Sequence, residues 1–374
     1  MRSSASYCSA TIIIILAGIL CQSCKPTRYL EENQALIEKV KLEGFGREQK
    51  EIRSQSYSLI RQTPNRSVFG LFKPYLGIYN LVNVKKGRYK DTLRTDIGEP
   101  PAILDTAITR LSSEAMEIYL QKKGYFNAEV GYSIDSIGPK KVAVTYKAVP
   151  NQAYAIRNYS THIPDTTIRR LVLENRPLVD TGMNYDEYVL GEERERITTH
   201  LKNNGYLEFE NVYIQYDADT ALRSDQVDLT LRVENPGGGR HTIYRFNNTF
   251  ITIYPGEEGD KTAGDTVNYK NDYYFIDYEG KYHPRIFNNS TFLGKGLIYK
   301  ERDRNLTYTR LGDLGIFKFI TIDFKKNRQD STLLDSYISL TTAKRQSLSL
   351  EGELTLIGQR LGGLGGFTYT NKNL

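Results

Sequence analysis

The chain has 374 residues, with 50 Lys and Arg against 44 Asp and Glu and a formal charge of +6. Its 39% apolar and 25% charged content is that of folded protein and excludes a disordered or low-complexity chain. The roughly 350 residues beyond the leader suffice for two or three domains.

Residues 12–20 form an apolar run about half as long as the roughly 20 residues a spanning helix needs. With Arg2 before it, the run fits the core of a secretory signal. Cys21 and Cys24 follow. A redox Cys-x-x-C belongs at a strand–helix junction of a folded domain, whereas this pair closes an apolar leader. The spacing fits a bacterial lipoprotein signal over residues 1–23, with the small Ser23 before an acylated Cys24. Leu20 is too bulky for Cys21 to take that place. An ordinary cleaved signal with a chance cysteine is the alternative. Processing at Cys24 removes Cys8 and Cys21 and leaves no disulfide. Two or more acyl chains anchor a protein stably where one is marginal. The positive charge is spread along the chain, and Lys85-Lys86-Gly87-Arg88 reads as a solvated loop. Nucleic acid is not an expected partner of an exported chain. The 28 Tyr and absent Trp suit strands with one wet face.

Beyond the leader the chain repeats itself. Residues 119–135, YLQKKGYFNAEVGYSID, are echoed by residues 200–217, HLKNNGYLEFENVYIQYD. A helical pattern precedes each. Ile108, Leu111, Ala115, Ile118 and Tyr119 form one apolar stripe. Leu190, Ile197 and Leu201 form the other, with Glu193 and Arg194 facing out. Gly124-Tyr125 and Gly205-Tyr206 fall where a helix ends, a place that favours a left-handed residue. A further strand follows each, at 141–150 and 226–236. Opening strands at 35–45 and 153–163 and first helices at 47–62 and 165–175 make each unit strand, helix, helix, strand, strand. The first unit carries an insertion at 64–101, whose Phe69, Leu71, Phe72, Tyr75 and Leu76 must pack on something. A third, looser copy opens with a strand at 241–254. It has a helix–glycine–strand run at 302–324, with Gly315 in the glycine position, and closes at 331–343. Residues 255–280 form an insertion with no assigned structure. The predicted fold class is α+β, in units over 24–150, 151–236 and 240–343.

The last residues follow a different pattern. Leu348, Leu350, Leu354 and Leu356 alternate with Ser347, Ser349, Glu351, Glu353 and Thr355. Leu361, Gly363, Gly365, Phe367 and Tyr369 then share one face. Each run exceeds the roughly 9 to 11 residues of a tilted membrane strand. A lone hairpin is marginal in water, so the sequence is expected to be the front of a longer protein or a truncated product.

Repeats of this order with a helix-ending Gly-Tyr, placed before a membrane-type hairpin, resemble the POTRA domains of outer-membrane assembly factors of the BamA/TamA type. CKPTRYLEENQALIEKVKLEG, IGEPPAILD, KKGYFNAEV and GGFTYTNKNL look like the lipid-anchored TamL branch of Bacteroidota. The resemblance implies tandem POTRA-like β-α-α-β-β domains, with residues 344–374 as the start of a truncated outer-membrane β-barrel. It implies periplasmic domains tethered to outer-membrane lipid. Unfolded outer-membrane proteins are the implied clients, and a TamB-like periplasm-spanning protein is a further implied partner. In that family the exposed edge is the middle strand of the unit. This places client-binding strands at 127–135, 211–217 and 316–324, with Asn127, Glu129, Gly131, Asn211, Tyr213, Gln215, Phe317 and Phe319 along them.

No catalytic constellation is legible. His162, His200, His241 and His283 are scattered and lack a metal-binding spacing. GLGGF, from Gly363 to Phe367, lies in a strand and opens no helix, so it lacks the amides of a phosphate loop. No Gly-x-Ser-x-Gly elbow occurs. No cofactor or metal is expected, and the chain reads as a non-enzyme that works by contact through exposed strand edges. A free-standing periplasmic scaffold lipoprotein without a pore is the alternative. Intact-mass measurement of membrane-extracted protein tests the anchor. A chain that begins at Cys24 and carries acyl mass is expected; an unacylated chain starting elsewhere sinks that reading.

Overall fold

The computed structural model describes residues 26–27, 29–68, 72–81, 96–221, 225–237, 239–256, 266–269, 273–344, 346–357 and 360–371. The signal segment with Cys8 and Cys21, the lipidation candidate Cys24, and Phe69 and Leu71 of the insertion lie outside the described residues. The chain divides into two compact units. One is Met1–Asn158 with Asp180–Tyr188 and Asp219–Asp228; the other is Tyr159–Val179 with Val189–Ala218 and Leu229–Leu374.

The first repeat opens with β1 (Leu36–Glu43), a 3-10 turn (Arg47–Gln49) and α1 (Lys50–Ser58). The insertion contributes α2 (Pro74–Leu81), and α3 (Thr106–Lys122), β2 (Glu129–Gly138) and β3 (Lys141–Val149) complete the repeat. The sheet order is β1-β3-β2, with β1 parallel and β2 antiparallel to β3. The last strand is therefore central. Its Val142, Ala143, Val144, Thr145 and Tyr146 are all buried, as a strand paired on both sides requires. A hairpin suffices to join β2 to β3, whereas the parallel pair needs the helical crossover between them.

The second repeat has β4 (Ala155–His162), α4 (Thr166–Glu174), α5 (Glu187–Lys202), β5 (Ile214–Asp219) and β6 (Gln226–Val233), in the order β4-β6-β5. Arg157 meets Asp228 and Ser160 meets Thr230, so β4 and β6 run together. Asp217 meets Arg232, and the Glu234 N–H donates to the Tyr213 carbonyl, so β5 runs against β6. Asp105 and Asp165 cap α3 and α4 in the same way. Each Oδ1 accepts two N–H bonds from the first turn, at 2.8 and 3.2 Å and at 2.8 and 3.1 Å.

The third repeat has β7 (Arg245–Tyr254), β8 (Thr266–Tyr269), β9 (Tyr273–Asp277), α6 (Glu301–Asp313), β10 (Phe317–Lys326) and β11 (Leu333–Thr342). A 3-10 turn (Pro284–Phe287) stands where the other repeats have their first helix. The sheet order is β10-β11-β7-β9-β8. The insertion at 255–280 thus supplies two strands that extend the sheet beyond β7. The POTRA-like β-α-α-β-β order recurs in tandem, with the third copy modified in these two ways. β12 (Gln346–Ile357) and β13 (Arg360–Asn371) follow as an antiparallel pair. Their register sets Leu348 opposite Tyr369 and Leu350 opposite Phe367, so these four residues share one face of the hairpin.

Two helix faces differ from the sequence pattern. On α3, Leu111 and Ile118 are 39% and 53% exposed, while Thr109, Ser112, Ser113, Met116, Tyr119 and Leu120 are buried. The Thr109 hydroxyl donates to the Asp105 carbonyl and the Ser112 hydroxyl to the Ile108 carbonyl, both at 2.9 Å. Satisfied in this way, small polar side chains can be buried without the usual cost. On α5, Glu193 is fully buried and does not face out. It accepts the Leu178 N–H at 3.1 Å and two bonds from Arg196 at 2.7 Å each. Burial, with the Glu193 charge adding to it, pushes the neighbouring Tyr159 hydroxyl up to about 12.

Among its described residues, the insertion buries one large apolar side chain. Leu76 of α2 is buried with Leu30, Leu36 and Ile103. Lys73 reaches Glu38 of β1 at 3.1 Å. Phe72 is 50% exposed.

Glu193→Ala strands a guanidinium and a backbone N–H, so a loss of about 3–5 kcal/mol in unfolding free energy is expected. Glu114→Ala breaks only the exposed Arg110 pair and should cost about 0.5 kcal/mol or less. Denaturant unfolding compares the two, and equal losses would rule out the buried cluster.

Candidate functional site

The strand edges follow from the topology. In each repeat the segment before the second helix folds along the start of the first strand. The Ile37 N–H donates to Ala102, Ile156 to Met183 and Phe246 to Leu297, at 2.8, 2.7 and 2.9 Å. That edge is blunted, and in the third repeat β9 covers β7 as well. Among the described residues, β2, β5 and β10 each have a strand on one side only. An unpaired strand edge offers a row of N–H and C=O groups to an incoming chain.

Backbone direction alternates along a strand, so one fixed residue sets the phase. On β2, the Val130 N–H donates to Glu117 and its carbonyl accepts from Ser113. Val130 therefore faces out, and so do Tyr132, Ile134 and Ser136. On β5, the Tyr213 carbonyl is bonded by β6 and the Ile214 carbonyl by Arg194; Ile214, Tyr216 and Ala218 face out. On β10, the Asn327 N–H donates to Leu333 across the sheet. This turns Ile320, Ile322, Phe324 and Lys326 outward.

The residues expected along these edges fall differently. Glu129, Gly131, Gln215 and Phe319 lie on the strands, but their backbone groups point inward to the partner strand. Asn127 precedes β2, and its side chain donates to the Tyr154 hydroxyl at 3.2 Å. Asn211 and Tyr213 form a 3-10 turn before β5. Asn211 bonds Thr198 and Glu195, and Tyr213 packs edge-on against His241. Phe317 starts β10 and packs beside Tyr282 and Phe287.

Of the three helix-ending glycines, Gly124 and Gly205 occupy joints between repeats. Gly124, Gly205 and Gly315 have φ of +87°, +101° and +69°. The Tyr125 and Tyr206 N–H groups reach back to Leu120 and Leu201 at 3.0 and 3.2 Å, closing each helix. Both tyrosines are buried. The Gly124 carbonyl accepts the Tyr154 N–H, and the Gly205 carbonyl accepts the Tyr244 N–H, each at 2.9 Å. Tyr185 and Tyr299 then donate to the carbonyls of Tyr154 and Tyr244, at 2.8 and 2.9 Å. Two residues further on, Glu187 and Glu301 meet Lys122 and Lys202 at 3.3 and 3.8 Å. A Cβ on Gly124 would fall 2.4 Å from the Tyr185 carbonyl oxygen, and one on Gly205 2.6 Å from an Ile243 methyl. Around Gly315 that position is open.

Among the described residues, no three His, Cys, Asp or Glu side chains gather into a group that could hold a metal ion. A left-handed backbone alone costs a non-glycine residue about 1–2 kcal/mol. Gly315→Ala should show that loss, and Gly124→Ala and Gly205→Ala clearly more, in denaturant unfolding. Equal losses at all three positions would mean that the joints are not packed as described.

No family model and no curated protein matches the chain. Solved structures that it is similar to include POTRA3-5 of BamA from Haemophilus influenzae. That match is 12% identical, covers 84% of this chain and 99% of that one, and has a TM-score of 0.38. The N-terminal domain of Omp85 from Thermosynechococcus elongatus is 14% identical over 84% of this chain and 100% of that one, with a TM-score of 0.27. POTRA1-3 of the periplasmic domain of Omp85 from Anabaena is 13% identical over 84% and 98%, with a TM-score of 0.27.

Proposed function

We propose that this chain is the periplasmic POTRA region of an outer-membrane assembly or translocation factor. It receives unfolded outer-membrane proteins, or a periplasm-spanning partner of the TamB kind, as added strands on its sheet edges. The observation that carries the reading is the recurrence of one outer strand, the middle one, in all three sheets. Main-chain pairing recognises an extended chain whatever its side chains, which suits clients defined by being unfolded and strand-forming.

The β12–β13 hairpin supports the membrane half of the reading. Leu348, Leu350, Phe367 and Tyr369 lie together on one face and are 59%, 76%, 68% and 54% exposed. Ser347, Ser349, Thr368 and Thr370 face the other way. An apolar face against lipid and a polar face against a lumen is the pattern of an outer-membrane strand pair. The lipid anchor at Cys24 and the TamL branch belong to the same proposal, resting on the leader and motifs of the sequence.

The test is amide exchange of the chain in the presence of a β-barrel protein diluted from denaturant. Strand addition should slow the outward amides of an edge, such as Ile320, Ile322 and Phe324. Thr321 and Asp323, already bonded to β11, should not change. Binding that leaves all three edges without this alternation would count against strand addition.

A further inference from the structure

The edges of β2, β5 and β10 are not equally open. On β2, the first outward residue is occupied on both sides by α3: the Val130 N–H donates to Glu117 at 3.2 Å, and its carbonyl accepts the Ser113 hydroxyl. On β5, Arg194 of α5 donates to the Ile214 carbonyl at 3.2 Å. That strand spans only Ile214–Asp219, so two outward residues remain. On β10, among the described residues, no side chain of α6 is bonded to the outward groups of Ile320, Ile322 or Phe324. Phe317–Lys326 is also ten residues long.

The open face beside β10 carries its own chemistry. Sheet register aligns Phe319 with Thr341 and Tyr254, and Tyr254 stacks on Tyr278 at 5.5 Å. It also aligns Asp323 with Tyr337 and Phe250, and Phe250 stacks between Tyr337 and Tyr274 at 5.1 and 5.0 Å. Both rows end at the β10 edge, one on Phe319, which is 59% exposed, and one on the exposed Asp323. A strand added to β10 would set its next residues directly beside these two side chains, where cross-strand pairs act.

We infer, resting on the strand-addition reading above, that β10 is the principal receiving edge. Its client is an extended segment with an aromatic and a basic side chain four residues apart on one face, matching Phe319 and Asp323. Glu117, Ser113 and Arg194 keep the starts of β2 and β5 closed and so direct clients to β10.

The test uses the full chain and two synthetic strand peptides of about ten residues. Each carries Phe and, four positions on, either Lys or Glu. The Lys peptide should slow exchange at Ile320, Ile322 and Phe324 and leave Tyr132, Ile134 and Tyr216 unchanged. Asp323→Lys should weaken the Lys peptide about fivefold and strengthen the Glu peptide by a like factor. Ser113→Ala with Glu117→Ala should bring new protection to Val130 and Tyr132. Protection at β2 or β5 with β10 unchanged overturns this inference and leaves strand addition standing. Binding at β10 that ignores the charge swap overturns the assigned client chemistry. Absence of protection at every edge, with either peptide and with an unfolded barrel protein, overturns both readings.

Discussion

A carbonyl oxygen at a left-handed glycine joins each repeat to the next. Gly124 and Gly205 stop a helix, and the bend presents one backbone acceptor to the residue just before the following strand. The same strand-leading residue, Tyr154 or Tyr244, then accepts from a second tyrosine ahead of its own long helix. Strand start, helix start and preceding helix end are thereby fixed in one short chain of backbone bonds. The first repeat keeps half of this arrangement. Its Ala35 carbonyl accepts the Leu104 N–H at 2.8 Å, yet neither position is a tyrosine. Leu30 and Leu76 cover the spot instead.

Sheet order follows from the same economy of connection. The last two strands of each repeat close on each other through a hairpin, and the first strand must come in alongside the last. This order places the last strand in the centre and the middle strand outside. The pre-helix segment that anchors the joint also blunts the first strand. In the first two sheets one geometric solution therefore blunts one side and leaves the other side available. In the third repeat β9 covers β7, β8 becomes the outer strand on that side, and a 3-10 turn takes the place of the first helix.

Much of this was legible from residue order alone, because glycine, proline and strand alternation are local signals. Gly124, Gly205 and Gly315 mark helix ends that no other residue would take as cheaply. The α3 stripe misled because Leu111 and Ile118 are larger than the serines and threonine that face the sheet. Hydropathy does not register a hydroxyl satisfied by the carbonyl one turn back. Glu193 was hidden for a similar reason: its partners Leu178 and Arg196 make burial tolerable, and only one of them is near in sequence. Residues 255–280 gave no reading because β8 and β9 are four and five residues long. Of the expected edge residues, Glu129, Gly131, Gln215, Phe317 and Phe319 lie on β2, β5 and β10, and Asn127, Asn211 and Tyr213 precede those strands. Side-chain alternation says which face a residue takes, and a single cross-strand bond is needed to say which way its backbone points.

The lodging of Leu30 between α2 and β1 limits how far the first repeat can stray from the residues just before it. Leu30 is 6% exposed, and its carbonyl accepts the Lys140 ammonium at 2.6 Å. Only six peptide steps separate it from Cys24, a leash of roughly 20 Å at full stretch. Any group carried by Cys24 is therefore held within that distance of the first repeat.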